Sequence, residues 1–137
     1  ATITPASGFV GPMGALNIGL AGGLVCYYAV GLIKHKLKID DSLDVFAVHG
    51  VGGAIGTLLV AFLVNTSFGG GGLAEGMTMG SQFGVQLTGL IAVLVWSLVA
   101  SFILVKVVQA LVGLRVSDDE ELEGLDVTSH GETGYNL

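Results

Sequence analysis

The charged residues are absent from three long stretches of this chain, and that absence constrains the fold more than any motif. Ala1 to Ile33, Val45 to Ala74 and Gly76 to Val105 contain no Asp, Glu, Lys or Arg, giving neutral runs of 33, 30 and 30 residues. A helix needs about 20 mainly apolar residues to cross a bilayer, so each run holds one crossing and none holds two. Only 12% of the 137 residues are charged, against about 25% in a soluble domain. With a mean hydropathy of +0.81, too few polar side chains remain to coat a water-facing surface. The expected fold is an all-α membrane protein with three transmembrane helices and a polar tail.

The net charge of −6 is an average over very different segments. Seven acids (Asp118, Asp119, Glu120, Glu121, Glu123, Asp126, Glu132) fall in the last 20 residues, so the acidity belongs to the tail. The five basic residues are Lys34, Lys36, Lys38, Lys106 and Arg115, a distribution that offers no basic patch for nucleic acid. Cys26 is the single cysteine and sits between apolar neighbours, where it reads as a small core residue. The chain starts Ala-Thr-Ile without a basic n-region, and is expected to begin within a longer protein.

Residues 1–12 hold both prolines and read as a broken opening segment. A first span is expected over 13–33, ending at the basic cluster Lys34-His35-Lys36-Leu37-Lys38. A connection over 34–41 leads to a second span over 42–64, with Asp41 or Ser42 as its N-cap. Residues 65–76 include Gly69-Gly70-Gly71-Gly72 and form a loop. The third span covers 77–112, long enough to project beyond the bilayer. The positive-inside rule places the 34–41 connection and the 113–137 tail in the cytoplasm, and the glycine loop outside. In the tail, Ser117-Asp118-Asp119-Glu120 matches a capping box with Gly124 as a stop, and an extended segment is expected after Leu125.

His49 is the conspicuous side chain. It lies inside the second span, within Val48-His49-Gly50-Val51-Gly52-Gly53. An ionisable group at that depth costs a few kcal/mol unless it meets a partner or a cavity, which marks it as functional ahead of a structural histidine bonded to the backbone. Asp40, Asp41 and Asp44 precede it and complement the positive end of the helix dipole. Gln82 and Gln86, one turn apart, are expected to hydrogen-bond between helices. No nucleophile–base pair, metal spacing, cofactor motif or phosphate cradle appears, so catalysis, a metal and a cofactor are not expected. The five Gly-x-x-x-Gly matches are about what 23 glycines give by chance, and say only that packing is close.

The string Asp40-Asp41-Ser42-Leu43-Asp44-Val45-Phe46-Ala47-Val48-His49-Gly50-Val51-Gly52-Gly53 resembles the tenth helix of the ammonium transporter (Amt/Rh) family. Gly113-Leu114-Arg115-Val116-Ser117 and Glu123 through Glu132 (EGLDVTSHGE) resemble the cytoplasmic tail of that family's bacterial Amt type. The opening ATITPASGFV is similar to the break after its eighth helix.

The resemblance implies an eleven-helix inverted-repeat transporter, homotrimeric when full length, of which this chain is the last third: helices nine to eleven plus the tail. It implies a narrow hydrophobic pore in the cell (inner) membrane, conducting ammonium or ammonia past two facing histidines. His49 matches the second of them, and Thr4 lies where the broken segment approaches the pore. A PII-type regulatory protein is implied at the cytoplasmic face, with Gly113, Leu114, Arg115, Asp126, Thr128, His130, Gly131 and Glu132 matching the regulatory tail. Thr128 matches a position that is phosphorylated in plant relatives. The first histidine belongs to earlier helices, so the chain is expected to act as a fragment of a longer protein. A sensing module coupled to the regulator and a non-transporting packing protein are the competing readings.

Overall fold

The computed structural model describes residues 1–135; Asn136 and Leu137, at the end of the expected 113–137 tail, lie outside the described residues. Every regular element among the described residues is a helix, and three helices are long and apolar enough to cross a membrane. Helix α1 spans Pro12–Gly31 and continues as a wide, π-type turn over Leu32–Lys36. The second span opens with another π-type segment, Val45–Val51, and passes into α2, Gly52–Leu63. Helix α3 covers Met79–Leu111, and α4 and α5 cover Asp118–Glu123 and Leu125–His130. The chain is an all-α membrane protein.

Two compact units divide the chain near Leu94. In the first, residues 1–94, the opening segment coils through a 3₁₀ turn at Thr4–Ala6 and packs on α2. Ala6, Ile18, Val60 and Val64 form one buried cluster, and Ala29, Ile33 and Ala47 form another. The first cluster joins the opening segment to α1 and α2; the second joins the two wide turns. The glycine loop is tied to the opening segment by the Gly71 N–H, which donates to the Phe9 carbonyl at 3.0 Å, and to α2's end by Gly72 N–H to Val64 O at 2.8 Å.

Glycines make the close approach of these elements possible. A Cβ built on Gly56 would collide with the Thr2 backbone, and one on Gly22 would lie 2.5 Å from the Thr2 hydroxyl. On Gly52 it would lie 2.9 Å from Cys26 Sγ and 3.0 Å from Thr2 Oγ1. Thr2 therefore sits in a notch cut by glycines from both helices. The Gly52/Gly56 repeat receives an inserted segment, a different use from the helix-against-helix contact usual for this spacing.

Helix α3 has 33 residues, about 50 Å at 1.5 Å each, against a hydrocarbon core of about 30 Å. None of its residues is buried within this chain. Trp96 is 73% exposed. Gln82 and Gln86 make no side-chain hydrogen bond among the described residues. They line a cavity of about 480 Å³ with Pro5, Phe9, Val60 and the glycine loop.

In the second unit, residues 95–135, the sequence reading needs one correction. Leu125–His130 is a helical turn and a half where an extended strand-like segment was expected. Gly124, at φ +100°, stops α4 and lets the chain restart. Asp126 then stands in the first turn, and Gly131 at φ +64° closes the far end, donating to the Val127 carbonyl at 3.0 Å. These end effects outweigh the weak strand preference of Val127 and Thr128.

The capping box at α4 is complete: Glu120 N–H donates to Ser117 Oγ at 3.4 Å, and Ser117 N–H donates to Glu120 Oε2 at 3.0 Å. The backbone N–H and then the hydroxyl of Ser117 hold the Glu120 carboxyl below the ordinary glutamate range. A depressed folded value means that the box stabilises α4 above the unfolded carboxyl's pKa, and that this stabilisation is lost as pH falls through the folded one. Ser117→Ala, which removes the hydroxyl and keeps the backbone N–H, is expected to return the Glu120 titration, followed by NMR, only part of the way to the ordinary range; an unmoved titration would refute the hydroxyl's share.

Candidate functional site

His49 lies in the π-type segment Val45–Val51, where hydrogen bonds reach one residue further than in an α-helix. Wide turns of this kind recur at functional sites, because they re-aim side chains without breaking a helix. The His49 side chain is exposed within this chain and makes no hydrogen bond among the described residues. It therefore presents a free imidazole on a 19-residue span whose mean hydropathy is 1.9. Gly50 and Gly53 flank it with little bulk, and a Cβ on Gly53 would meet nothing within 4 Å.

The start of this segment is held by carboxylates. The N-cap position falls on Asp44, later than the expected Asp41 or Ser42, but Asp41 supplies the capping oxygens: one carboxylate oxygen accepts from Val45 N–H at 2.8 Å, and the other from Phe46 and Ala47 at 2.9 and 3.4 Å. Three of the orphan donors of a helix start are thereby satisfied by one side chain. Asp44 follows in the left-handed region, φ +55°, and pairs with Lys34 at 2.9 Å. Lys34 also donates to the Ser42 carbonyl at 3.4 Å. Near the start of the second span, the Cys26 thiol approaches the Val48 carbonyl at 3.9 Å, the weak contact of a small half-buried residue.

Thr4, the other expected pore residue, is exposed at the start of the 3₁₀ turn and shares no hydrogen bond with His49. Thr2 is the opening threonine that enters the notch between α1 and α2. Sequence reading missed it, although Gly22/Cys26 and Gly52/Gly56, each four residues apart, mark two facing small-residue surfaces that something must fill. Lys34 was read as part of a basic cluster, and its partner on the second span was not foreseen.

The tail residues are found together within the second unit. Gly113 turns the chain at φ +82° after α3, and Leu114 is exposed. Arg115 pairs with Glu121 at 2.8 Å, both largely exposed, which makes the pair worth little for stability. The Thr128 hydroxyl is half-buried and donates to the Gly124 carbonyl at 3.1 Å. The Asp126 carbonyl accepts from Glu132 N–H at 2.8 Å, and His130 and Gly131 complete the end of α5. A phosphate on Thr128 would break its bond to Gly124 and add negative charge to an already acidic tail.

The Ammonium Transporter Family matches residues 1–135. "Ammonium transporter 1" of Dictyostelium discoideum is 41% identical over 99% of this chain and 30% of its own length. "Ammonium transporter Amt1" of Archaeoglobus fulgidus is 44% identical over 98% of this chain and 34% of its own. A "Putative ammonium transporter" of Methanothermobacter thermautotrophicus is 43% identical over the whole chain and 34% of its own length. The chain thus spans about a third of the curated relatives it matches. With a match of that extent and an all-helical membrane-spanning fold, the chain belongs to the Ammonium Transporter Family.

Proposed function

We propose that this chain contributes to the conduction of ammonium or ammonia across a membrane, as part of a longer transporter, with His49 as one of two pore histidines. The observation that carries the reading is a free imidazole on an apolar span, set in a wide turn and flanked by glycines. Ammonium can give its proton to a neutral imidazole, which passes it on through the facing histidine and is thereby restored, while ammonia continues as a small neutral molecule; a bare cation meets the full cost of a dry pore. Thr4 has a minor lining role, and the remaining helices supply the facing histidine. The longer protein works as a homotrimer in the cell membrane, with the Lys34–Asp41 connection and the tail on the cytoplasmic side. The test is the ammonium and potassium current of the full-length protein bearing His49→Ala. Loss of discrimination between the two ions is expected; an unchanged ratio defeats the role.

A second role, contact with a PII-type regulator, draws on the tail's local order. Residues 113–132 carry a capping box, an ion pair and a closed α5 end, more structure than a simply solvated acidic tail needs. Deleting 113–137 from the full-length protein is expected to abolish regulator binding in a pull-down while ammonium flux persists. Retained binding would sink this role.

A further inference from the structure

We propose that the Lys34–Asp44 ion pair is a positioning device for His49, holding open the wide turn on which the imidazole is carried. The inference rests on the conducting role of His49. Asp44 stands five residues before His49 and immediately precedes the π-type segment. Its backbone is left-handed, φ +55°, a conformation that aspartate adopts more readily than most residues with a Cβ but that still costs free energy relative to the helical region.

The surroundings here are specific. Asp41 holds the N–H groups of Val45, Phe46 and Ala47 on the far side of Asp44, and the Lys34 ammonium gathers Asp44 Oδ1 at 2.9 Å and the Ser42 carbonyl at 3.4 Å. Lys34 itself belongs to the other wide turn, Leu32–Lys36. The two wide turns also pack directly, with Ile33 of one and Ala47 of the other buried together beside Ala29. One ion pair thus ties two irregular turns from two membrane spans at the same level.

An α-turn is the better-bonded alternative to a π-turn, so the wide geometry relaxes unless its end is held. Releasing Asp44 lets its backbone return to the ordinary helical region and lets Val45–Val51 tighten. Tightening rotates His49 about the helix axis relative to Gly52 and Gly56, which are fixed by Thr2. Lys34 and Asp44 touch no transported ion in this account; they act through the direction of the imidazole.

The experiment measures the ammonium-to-potassium current ratio of the full-length protein, because a ratio does not depend on how many molecules reach the membrane. Lys34→Met removes the charge and keeps the aliphatic stem. Asp44→Asn removes the charge and keeps a side chain that tolerates the left-handed backbone. Each is expected to lower the ratio about threefold, the scale of a partly exposed ion pair. Lys34→Arg is expected to restore it, and the double variant K34M/D44N to fall no further than either single change, since both remove the same interaction.

A wild-type ratio in K34M and D44N, with a changed ratio in His49→Ala, would overturn the positioning role alone. An unchanged ratio in His49→Ala would overturn the conducting role and this inference with it. If the single variants fail to reach the membrane, the double variant, which buries no unpaired charge, decides: a threefold fall supports the device and a wild-type ratio refutes it.

Discussion

Replacing Gly56 by alanine in the full-length protein is expected to lower its unfolding free energy by about 3 kcal/mol, at the upper end of overpacking costs. The smallest side chain suffices because the added Cβ meets backbone, the Thr2 carbonyl, and backbone cannot rotate away as a side-chain tip can. Either the opening segment leaves the notch or α1 and α2 separate, and both outcomes open the cluster of Ala6, Ile18, Val60 and Val64. Gly53→Ala is the control: its Cβ meets nothing within 4 Å, and alanine is the better helix former by about 1 kcal/mol. Thermal unfolding of the purified full-length variants checks both. Opposite shifts are expected, and equal losses would show that Thr2 insertion is not what Gly56 serves.

The other large effect concerns conduction. His49→Ala is expected to reduce the ammonium-over-potassium ratio at least about tenfold, which corresponds to about 1.4 kcal/mol of discrimination. Potassium has no proton to give, so an imidazole that accepts one favours ammonium alone. His49→Gln separates two versions of the role. An amide can hydrogen-bond to a passing molecule but cannot carry its proton, so proton relay predicts that Gln behaves as Ala. A wild-type ratio with Gln would reduce His49 to a hydrogen-bonding post.

The three long helices were legible because a charge-free run of 30 residues has few other uses, and no tertiary detail is needed to see it. His49 was legible for the complementary reason: a single ionisable group stands out against an apolar background. Asp41 or Ser42 was legible as a cap from its place before the second span; the helix instead starts after Asp44, and nothing in the sequence shows that the Asp41 carboxylate reaches forward to three N–H groups.

What escaped depends on contacts between distant segments. The insertion of Thr2 needs Gly22, Gly52 and Gly56 to come together from two helices, and periodicity along one chain segment does not reveal that. The Lys34–Asp44 pair needs two wide turns side by side, and the π geometry is itself a product of how the segment's ends are held. The cavity that Gln82 and Gln86 line needs Pro5, Phe9 and the glycine loop beside them, which spacing along α3 does not reveal. The helix at Leu125–His130 was missed because Gly124 was read only as a stop, when a glycine at φ +100° also resets the direction of the chain.

The wide turn at Val45–Val51 has a consequence for helical phase. In an uninterrupted α-helix, His49 and Gly53 would stand almost directly above one another, and a wheel drawn from the sequence would fix the azimuth of the imidazole. Each hydrogen bond that reaches back five residues unwinds the helix a little, so the azimuth depends on how many such bonds are made as well as on the sequence. The angle at which this span presents its one ionisable group is therefore an adjustable quantity, altered by gaining or losing a single long-reach bond while every residue stays the same.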